Sequence, residues 1–258
     1  MKRRRTRQQV EGHNWVAVAI ELAIVIVGVF LGLQANNWNA ARLDRARADS
    51  YHVRLIEDLR KTELGTQVSV AYYRQVRLHA LTALRALDRP ASELGVPFLV
   101  DVYQATQIFP RSVKHSTYDE ILSSGNAELM GSPALRERVA NFYWRMDGLI
   151  SLTSVIPAYR SRVRSLMPYD VQTLIRAQCD EILTDSGAGL WTARLPENCE
   201  IVLLSADVTE AVAAVKAAPG LKQDLTGTML DLDSKILNFG KVESGAADLR
   251  HYLENNSQ

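Results

Sequence analysis

Apolar positions fall into two patterns along this chain: a continuous run near the amino terminus, and a series of regularly spaced positions after it. The run extends from Trp15 to Leu33 and contains one charged residue, Glu21. At about 1.5 Å of rise per residue, a helix of this length nearly matches a hydrocarbon core of roughly 30 Å. The run therefore predicts a single membrane-spanning helix at residues 15–35.

The residues around the run indicate an anchor that is not cleaved. A secretory signal peptide has an apolar stretch of about 7 to 15 residues and then a small-residue cleavage site, whereas this run is longer and leads at Gln34 into polar, helix-prone sequence. Trp15 and Trp38 stand at its two ends, about 34 Å apart along a continuous helix. Because tryptophan is enriched at both membrane–water interfaces, we expect these two residues to be interface anchors.

The basic residues beside the run predict its orientation. Residues 1–14 contain five Lys and Arg residues, against Arg42, Arg45 and Arg47 on the far side. A short basic tail resists translocation, whereas a long downstream domain crosses largely regardless of its charge. We therefore expect residues 1–14 in the cytoplasm and residues 36–258 outside it, which in a bacterium means the inner membrane and the periplasm. Binding of nucleic acid or of anionic lipid heads is the alternative role for the basic tail.

The second pattern predicts that the membrane helix continues into a long helix beyond the bilayer. Residues 35–88 contain no proline, one glycine and many strong helix formers. A stripe of mainly apolar residues recurs there every three or four positions, which keeps its members on one helix face. Such a stripe packs against other helices of its own domain or against a second copy in a coiled coil. Its members are Ala48, Tyr51, Leu55, Leu59, Thr62, Thr66, Val70, Tyr73, Val76, Ala80, Leu84 and Leu87.

Start and stop signals divide the rest of the chain into shorter helices. Thr117 and Glu120 have the spacing of a capping box, and Gly125 is a natural helix stop. Ser132 before a proline marks another helix start, and Pro157 should kink or split the helix that follows. The predicted helices cover residues 98–108, 118–124, 133–166, 168–182, 207–217 and 221–253.

The least helical segment is residues 190–205. Trp191 to Leu195 and Glu200 to Leu204 predict either a short hairpin or an irregular loop, because periodicity does not distinguish these at such lengths. The predicted fold class is therefore all-α: one transmembrane helix, continuous with a long helix of an extracytoplasmic helical bundle.

Cys179 and Cys199 are the two cysteines of the chain. A pair across a short loop fits a disulfide formed in an oxidising compartment, which agrees with export. The alternative is a pair of unbonded thiols in the core.

Three residues of the membrane run could mediate contacts with another helix. Gly28 and Gly32 form a Gly-x-x-x-Gly face on which two backbones can approach closely. Glu21 is a carboxylate within the run, and such a group reaches back to the interface, contacts a polar partner or belongs to a proton route. We expect Glu21, Gly28 and Gly32 to support association of the membrane helix, which predicts a homo-oligomer.

Three sequence blocks resemble a bacterial family of unknown function. They read ELAIVIVGVFLGLQANNWN at residues 21–39, RLIEDLR at 54–60 and TYDEILSSGN at 117–126. Members of that family look like single-pass membrane proteins that begin with a similar Glu-led apolar run closing in Gln-x-Asn-Asn-Trp-Asn. The resemblance implies membrane placement and architecture, and it supplies no activity or catalytic residues.

The motif search predicts a protein without catalytic, cofactor or metal sites. The five histidines are scattered, and no zinc-spaced cluster, nucleophile elbow or phosphate-binding loop is present. With 30 Lys and Arg against 29 Asp and Glu, no large field attracts nucleic acid to the outer domain. We therefore expect a non-enzymatic interaction or scaffold protein of the bacterial envelope, whose partners are the lipid bilayer, further copies and other envelope membrane proteins. The alternatives are a sensory or ligand-binding domain that signals through its membrane helix, and an accessory subunit of a transport complex that uses Glu21.

Overall fold

The computed structural model describes residues 11–187 and 190–256. The chain is 77% helical with one two-stranded sheet, so the predicted all-α class is confirmed. Two short 3₁₀ helices, Ala91–Glu93 and Ala127–Met130, join longer elements. In chain order the longer elements are α1 (Glu11–Ala86), α2 (Val96–Gln104), α3 (Ser116–Ser123), α4 (Pro133–Thr153), α5 (Ala158–Leu166), α6 (Tyr169–Cys179), β1 (Ile182–Asp185), β2 (Trp191–Arg194), α7 (Ser205–Ala217) and α8 (Leu221–Asn255).

The first helix, α1, runs without a break from the apolar run to the far end of the domain. No proline falls between its ends at Glu11 and Ala86, and a helix of 76 residues rises about 110 Å. Its apolar amino-terminal part is long and apolar enough to span a membrane. The prediction that the apolar run and the long outer helix form one continuous helix is confirmed.

The domain is built on the antiparallel pair α1 and α8. Polar bridges mark its register along the helices: Arg77 Nε donates to Asp233 Oδ1 (2.5 Å), and Arg250 Nε donates to Glu63 Oε1 (2.6 Å). Between the two helices the Tyr73 and Phe239 rings stack with centroids 5.7 Å apart. The shorter helices α2 and α3 pack on α1, and α4 and α5 pack on α8.

The predicted stripe of α1 faces this core. Most of its members are buried, and Val70 and the terminal members Ala48, Leu84 and Leu87 are half-buried. The stripe therefore packs against other helices of its own domain, which was the first of the two predicted alternatives. It is not available for a coiled coil with another copy.

The start of α3 corrects the predicted capping box of Thr117 and Glu120. The buried carboxylate of Asp58, on α1, accepts hydrogen bonds from the Thr117 amide (3.0 Å) and from Ser116 Oγ (3.1 Å). Glu120 instead forms an ion pair with Arg54, which lowers the pKa of Glu120. The box was wrong because the carboxylate of Asp58, distant in sequence, accepts the hydrogen bond from the Thr117 amide that the Glu120 side chain was expected to accept. The predicted stop at Gly125 is confirmed, since Gly125 has a φ of +71°.

Two further helix signals are confirmed. Ser132 Oγ accepts from the Leu135 amide (3.2 Å) at the start of α4. The expected break at Pro157 divides the segment into α4 and α5, because a proline ring removes one helical hydrogen bond and crowds the preceding turn.

The observed hairpin pairs the segment at residues 191–194 with a strand that precedes it in the chain, whereas the predicted hairpin paired it with residues 200–204. β2 pairs antiparallel with β1, with Ile182 opposite Arg194 and Asp185 opposite Trp191. Residues 200–204 lie outside the sheet, so of the two alternatives left open for them the irregular loop is the one observed. The helix expected to continue to residue 182 ends at Cys179. A disulfide joins Cys179 to Cys199, with Cα atoms 5.4 Å apart. This bond brings residue 199 back to the end of α6, which leaves residues 200–204 to lead into α7.

Candidate interaction surfaces

The membrane segment of α1 contacts no other described part of the chain. Every side chain from Trp15 to Leu43 is exposed. A Cβ atom built on Gly28 or Gly32 would meet nothing within 4 Å, so both glycines lie on an open helix face. Glu21 is also exposed, two helical turns before Gly28. The three residues predicted to associate thus lie on one uncovered helix, apart from the folded domain.

A charged helical segment separates the membrane run from the domain. This stalk, residues 39–50, is exposed apart from half-buried Asp44 and Ala48, and Arg47 pairs with Asp44 (3.1 Å). Pairs of opposite charge three or four residues apart stabilise a helix that is surrounded by water. Tyr51, the first fully buried member of the stripe, lies about 20 Å beyond Trp38 along α1. The stalk therefore holds the domain away from the level of Trp38.

A groove of about 1100 Å³ lies between α4 and α8 on the side of α8 away from α1. The helices are antiparallel, with Arg138 over the Tyr252 ring near one end (4.2 Å) and Lys235 Nζ donating to the Val155 carbonyl near the other (2.7 Å). Gly245 permits their close approach, since a Cβ there would lie 3.2 Å from Met146 Cε. We call this feature the α4–α8 groove.

Small residues line the α8 side of this groove. Gly240, Ser244 and Gly245 succeed one another within little more than a turn of α8. A Cβ on Gly240 would meet nothing within 4 Å, so that position is open. Gly245 already faces Met146 of α4, whereas Gly240 and Ser244 leave room for the backbone of a further helix.

Large apolar side chains extend the groove along the protein surface. A neighbouring depression contains Trp144 and shares Arg145 and Lys241 with the groove, so the two are continuous. Trp144 is 78% exposed, and Leu237 is 59% exposed. Leu152, Val155, Ile156 and Leu230 are also exposed on α4, on the segment after it, or on α8. Large exposed apolar side chains in and beside a groove are typical of a surface that binds another protein.

The groove has an acidic end and a basic end. Glu137 and Asp248 line the membrane-proximal end together with one cation, Arg138, so that this end carries a net negative charge. Arg145 and Lys241 line the distal end, about 12 Å further along α4. Within residues 11–187 and 190–256, none of these five side chains has an ion-pair partner within 4 Å. Their charges are thus available to a molecule that occupies the groove.

The titratable groups elsewhere do not assemble a metal centre. Among the described residues, no group of three or more His, Cys, Asp and Glu side chains is placed to hold an ion. His115 pairs with Asp147 (2.8 Å) beside the ring of Tyr143. Burial raises the pKa of Tyr143, whose hydroxyl has no hydrogen-bond partner within the part of the chain that the structure describes.

Sequence reasoning missed the α4–α8 groove, although one signal for it was present. Leu230 and Leu237 are a heptad apart and out of phase with the positions of α8 that face α1, such as Leu232 and Phe239. A second apolar line on one helix indicates a second packing partner. The sequence does not show which partner packs on this second apolar line.

No protein-family model matches this chain, and comparisons with curated proteins and with solved structures likewise give no match.

Proposed function

We propose that this protein is a membrane-anchored interaction protein of the bacterial cell envelope, whose α4–α8 groove binds a helix of another envelope protein. Residues 15–35 hold it in the inner membrane, residues 1–14 lie in the cytoplasm, and the domain within residues 36–258 lies in the periplasm. The observation that supports this function is the groove itself: an open, small-residue channel with exposed Trp144 and Leu237 and unpaired charges of opposite sign at its two ends.

The anchor argues against a second copy as the occupant of the groove. Two copies in one membrane share the direction of α1, so a two-fold axis between them runs along the membrane normal. Because α4 runs in the same direction as α1, that axis would place the two proximal ends opposite each other, and each of them carries Glu137 and Asp248 against the single cation Arg138. Like charges that face each other across an interface oppose association. The occupant is therefore a different polypeptide.

The charges also specify the direction of the bound helix. Its acidic residues should lie beside Arg145 and Lys241, and its basic residues beside Glu137 and Asp248. Helices favour acidic residues in the first turn and basic residues in the last turn, because these charges complement the helix dipole. We infer an amphipathic helix whose amino terminus lies at the distal end and which runs toward the membrane.

Self-association takes place instead through the membrane helix, at Gly28 and Gly32. Helices that pack through Gly-x-x-x-Gly cross at about 40°. From such a crossing, two continuous helices are about 20 Å further apart by the time they reach Tyr51. The outer domains then stand apart, and both grooves stay accessible to partners.

Position-specific photo-crosslinking in cells tests the groove. A photoreactive residue at Ser244, inside the groove, should give a discrete adduct with a different polypeptide, whereas one at Ser123, exposed on α3, should not. Charge reversal by Arg145→Glu together with Lys241→Glu should reduce the Ser244 adduct by about tenfold, which corresponds to about 1.4 kcal/mol. The matched reversal Arg194→Glu, on β2, should leave it unchanged.

The groove proposal has two contrary outcomes in this experiment. Adduct formation only between copies of the chain would replace the partner helix by a second copy. An adduct that persists undiminished after both distal charges are reversed would remove the electrostatic part of the argument, and with it the inferred direction of the helix.

A further inference from the structure

Side chains of the helical domain close one edge of the β1–β2 hairpin, the outer edge of β2. There the Trp191 carbonyl accepts a hydrogen bond from Arg111 Nη2 (2.8 Å). Further along the same edge, Gln75 of α1 accepts from the Leu195 amide (2.9 Å) and donates to the Leu195 carbonyl (3.4 Å). These side chains take the place of a neighbouring strand, so the β2 edge offers little to a partner.

The register of the hairpin shows which backbone groups of β1 point away from β2. Just beyond the strands, the Ser186 amide donates to the Leu190 carbonyl (3.0 Å). In an antiparallel pair, residues that exchange hydrogen bonds with the partner strand alternate with residues whose N–H and C=O point outward. Counting back from Ser186, the outward residues are Leu183 and Asp185. Each of them directs one donor and one acceptor away from β2.

These outward groups form an open edge. Every residue of β1 is exposed, and β2 is the element that packs along it. In the part of the chain that the structure describes, the backbones of Leu183 and Asp185 make no hydrogen bond on that side. Folded proteins commonly protect such an edge with lysine, proline or a bulge. The segment Ile182–Asp185 contains neither residue, and it pairs with β2 without a bulge.

The side chains of β1 define the chemistry of a segment that would fit this edge. Leu183 and Asp185 share one face of the hairpin, since side chains two apart in a strand point the same way. Both are exposed, and Asp185 has no ion-pair partner within 4 Å among residues 11–187 and 190–256. A strand alongside β1 is therefore favoured when it places an apolar side chain beside Leu183 and a basic one beside Asp185.

The membrane anchor argues against a second copy as this additional strand. β2 runs along α1, because Leu190 Cδ1 would lie 3.3 Å from a Cβ on Gly65 while Leu195 contacts Gln75. A two-fold axis along α1 would set the two β1 strands parallel, with identical residues at equal height. In a parallel ladder, a residue that faces its neighbour bonds to the residues on either side of the one opposite. Identical outward residues therefore do not pair. This step rests on the anchoring in the proposed function.

We propose that the open edge of β1 binds an extended segment of a different polypeptide, which joins the hairpin as a third strand. Main-chain hydrogen bonds with Leu183 and Asp185 supply affinity, and the side chains beside them supply specificity. The Cys179–Cys199 disulfide closes the loop that contains both strands, so the hairpin is held in place before the segment binds. This surface lies on α1, whereas the α4–α8 groove lies on the side of α8 away from α1.

Photo-crosslinking in cells tests the open edge in the full-length protein. A photoreactive residue at Thr184 should give a discrete adduct with a different polypeptide, whereas one at Ser123 should not. Leu183→Pro removes an outward N–H that the ladder with β2 does not use, so it should reduce the adduct by about tenfold. Leu183→Ala keeps that N–H and should retain more of the adduct. Asp185→Lys should also reduce it, because lysine at an edge opposes strand addition.

Amide hydrogen exchange of the purified protein in detergent, measured by NMR, tests whether the edge is open. The Leu183 and Asp185 amides should exchange much faster than the Thr184 amide, which the ladder with β2 protects. Leu183→Pro should keep the thermal midpoint of the wild type and the photo-crosslink at Ser244. Failure of the β1 edge and failure of the groove are therefore separate results.

Protection of the Leu183 and Asp185 amides in the purified protein would overturn the proposal, because the edge would then already be covered. Three crosslinking results would overturn it as well: no adduct at Thr184, adducts between copies of the chain only, or an adduct of equal yield in Leu183→Pro.

Discussion

Phe239→Ala should lower the free energy of unfolding of the domain by about 3–5 kcal/mol, as truncation of a fully buried aromatic side chain does. Phe239 has no exposed surface and stacks on Tyr73 between the two longest helices. The cavity left there would lie between α1 and α8, the two longest helices of the domain. For a domain of this size we expect the thermal midpoint to fall on the order of 10 °C.

Leu237→Ala is the matched control for this substitution. Leu237 lies two residues away on α8 but faces the groove, where it is 59% exposed. Its truncation should change the free energy of unfolding by less than about 0.5 kcal/mol. Urea denaturation followed by circular dichroism measures both variants. Equal losses in the two would mean that the assignment of the two faces of α8 is wrong.

Loss of the Cys179–Cys199 disulfide should cost roughly 3 kcal/mol in the chain-entropy model for residues 20 positions apart. The bond ties the end of α6 to the segment after β2, and Cys179 is completely buried. Reductant should therefore lower the urea midpoint of the wild type. The double variant Cys179→Ala, Cys199→Ala should start at the lower midpoint and show no further response to reductant.

Mass measurement after alkylation accompanies this experiment. Protein isolated from the oxidising compartment should carry no alkyl group before reduction and two afterwards. Two reactive thiols in the native protein, or a midpoint that reductant does not change, would contradict both the stabilising role of the bond and its support for export.

The sequence correctly predicted those elements that depend on residues close to one another in the chain. The membrane run, the proline-free stretch after it and the start at Ser132 each depend on residues within a few positions, and α1 and α4 follow them. The long stripe of α1 was also readable, because a buried helix face repeats every three to four residues.

Predictions failed where the chain supplies a partner from far away in sequence. Asp58 caps α3 across 58 and 59 residues, and no pattern around Thr117 reveals that acceptor. β1 was not predicted, because the predicted helix ended only at residue 182 and the partner of β2 was sought after it in the chain instead of before it. In both cases tertiary contacts decided between local conformations of similar energy.

The same contrast between local and long-range determinants applies to the candidate sites. Glu21, Gly28 and Gly32 were visible because a membrane segment is read from composition alone, whereas the α4–α8 groove exists only after the two helices pack.

The proposed function depends most on the sidedness of the domain relative to the membrane. Labelling with a membrane-impermeant maleimide in intact spheroplasts of a Gram-negative host measures it most directly, using Ser123→Cys in the domain and Thr6→Cys in the amino-terminal tail. The native cysteines are bonded to each other and leave the introduced thiol as the reactive one.

We expect the chain to stay in the membrane fraction after alkaline carbonate extraction. Cys at position 123 should be labelled in intact spheroplasts, and Cys at position 6 only after the membrane is permeabilised. The reverse pattern of labelling, or recovery of the chain in the soluble fraction, would contradict the proposal of a periplasmic domain carried on a single membrane helix.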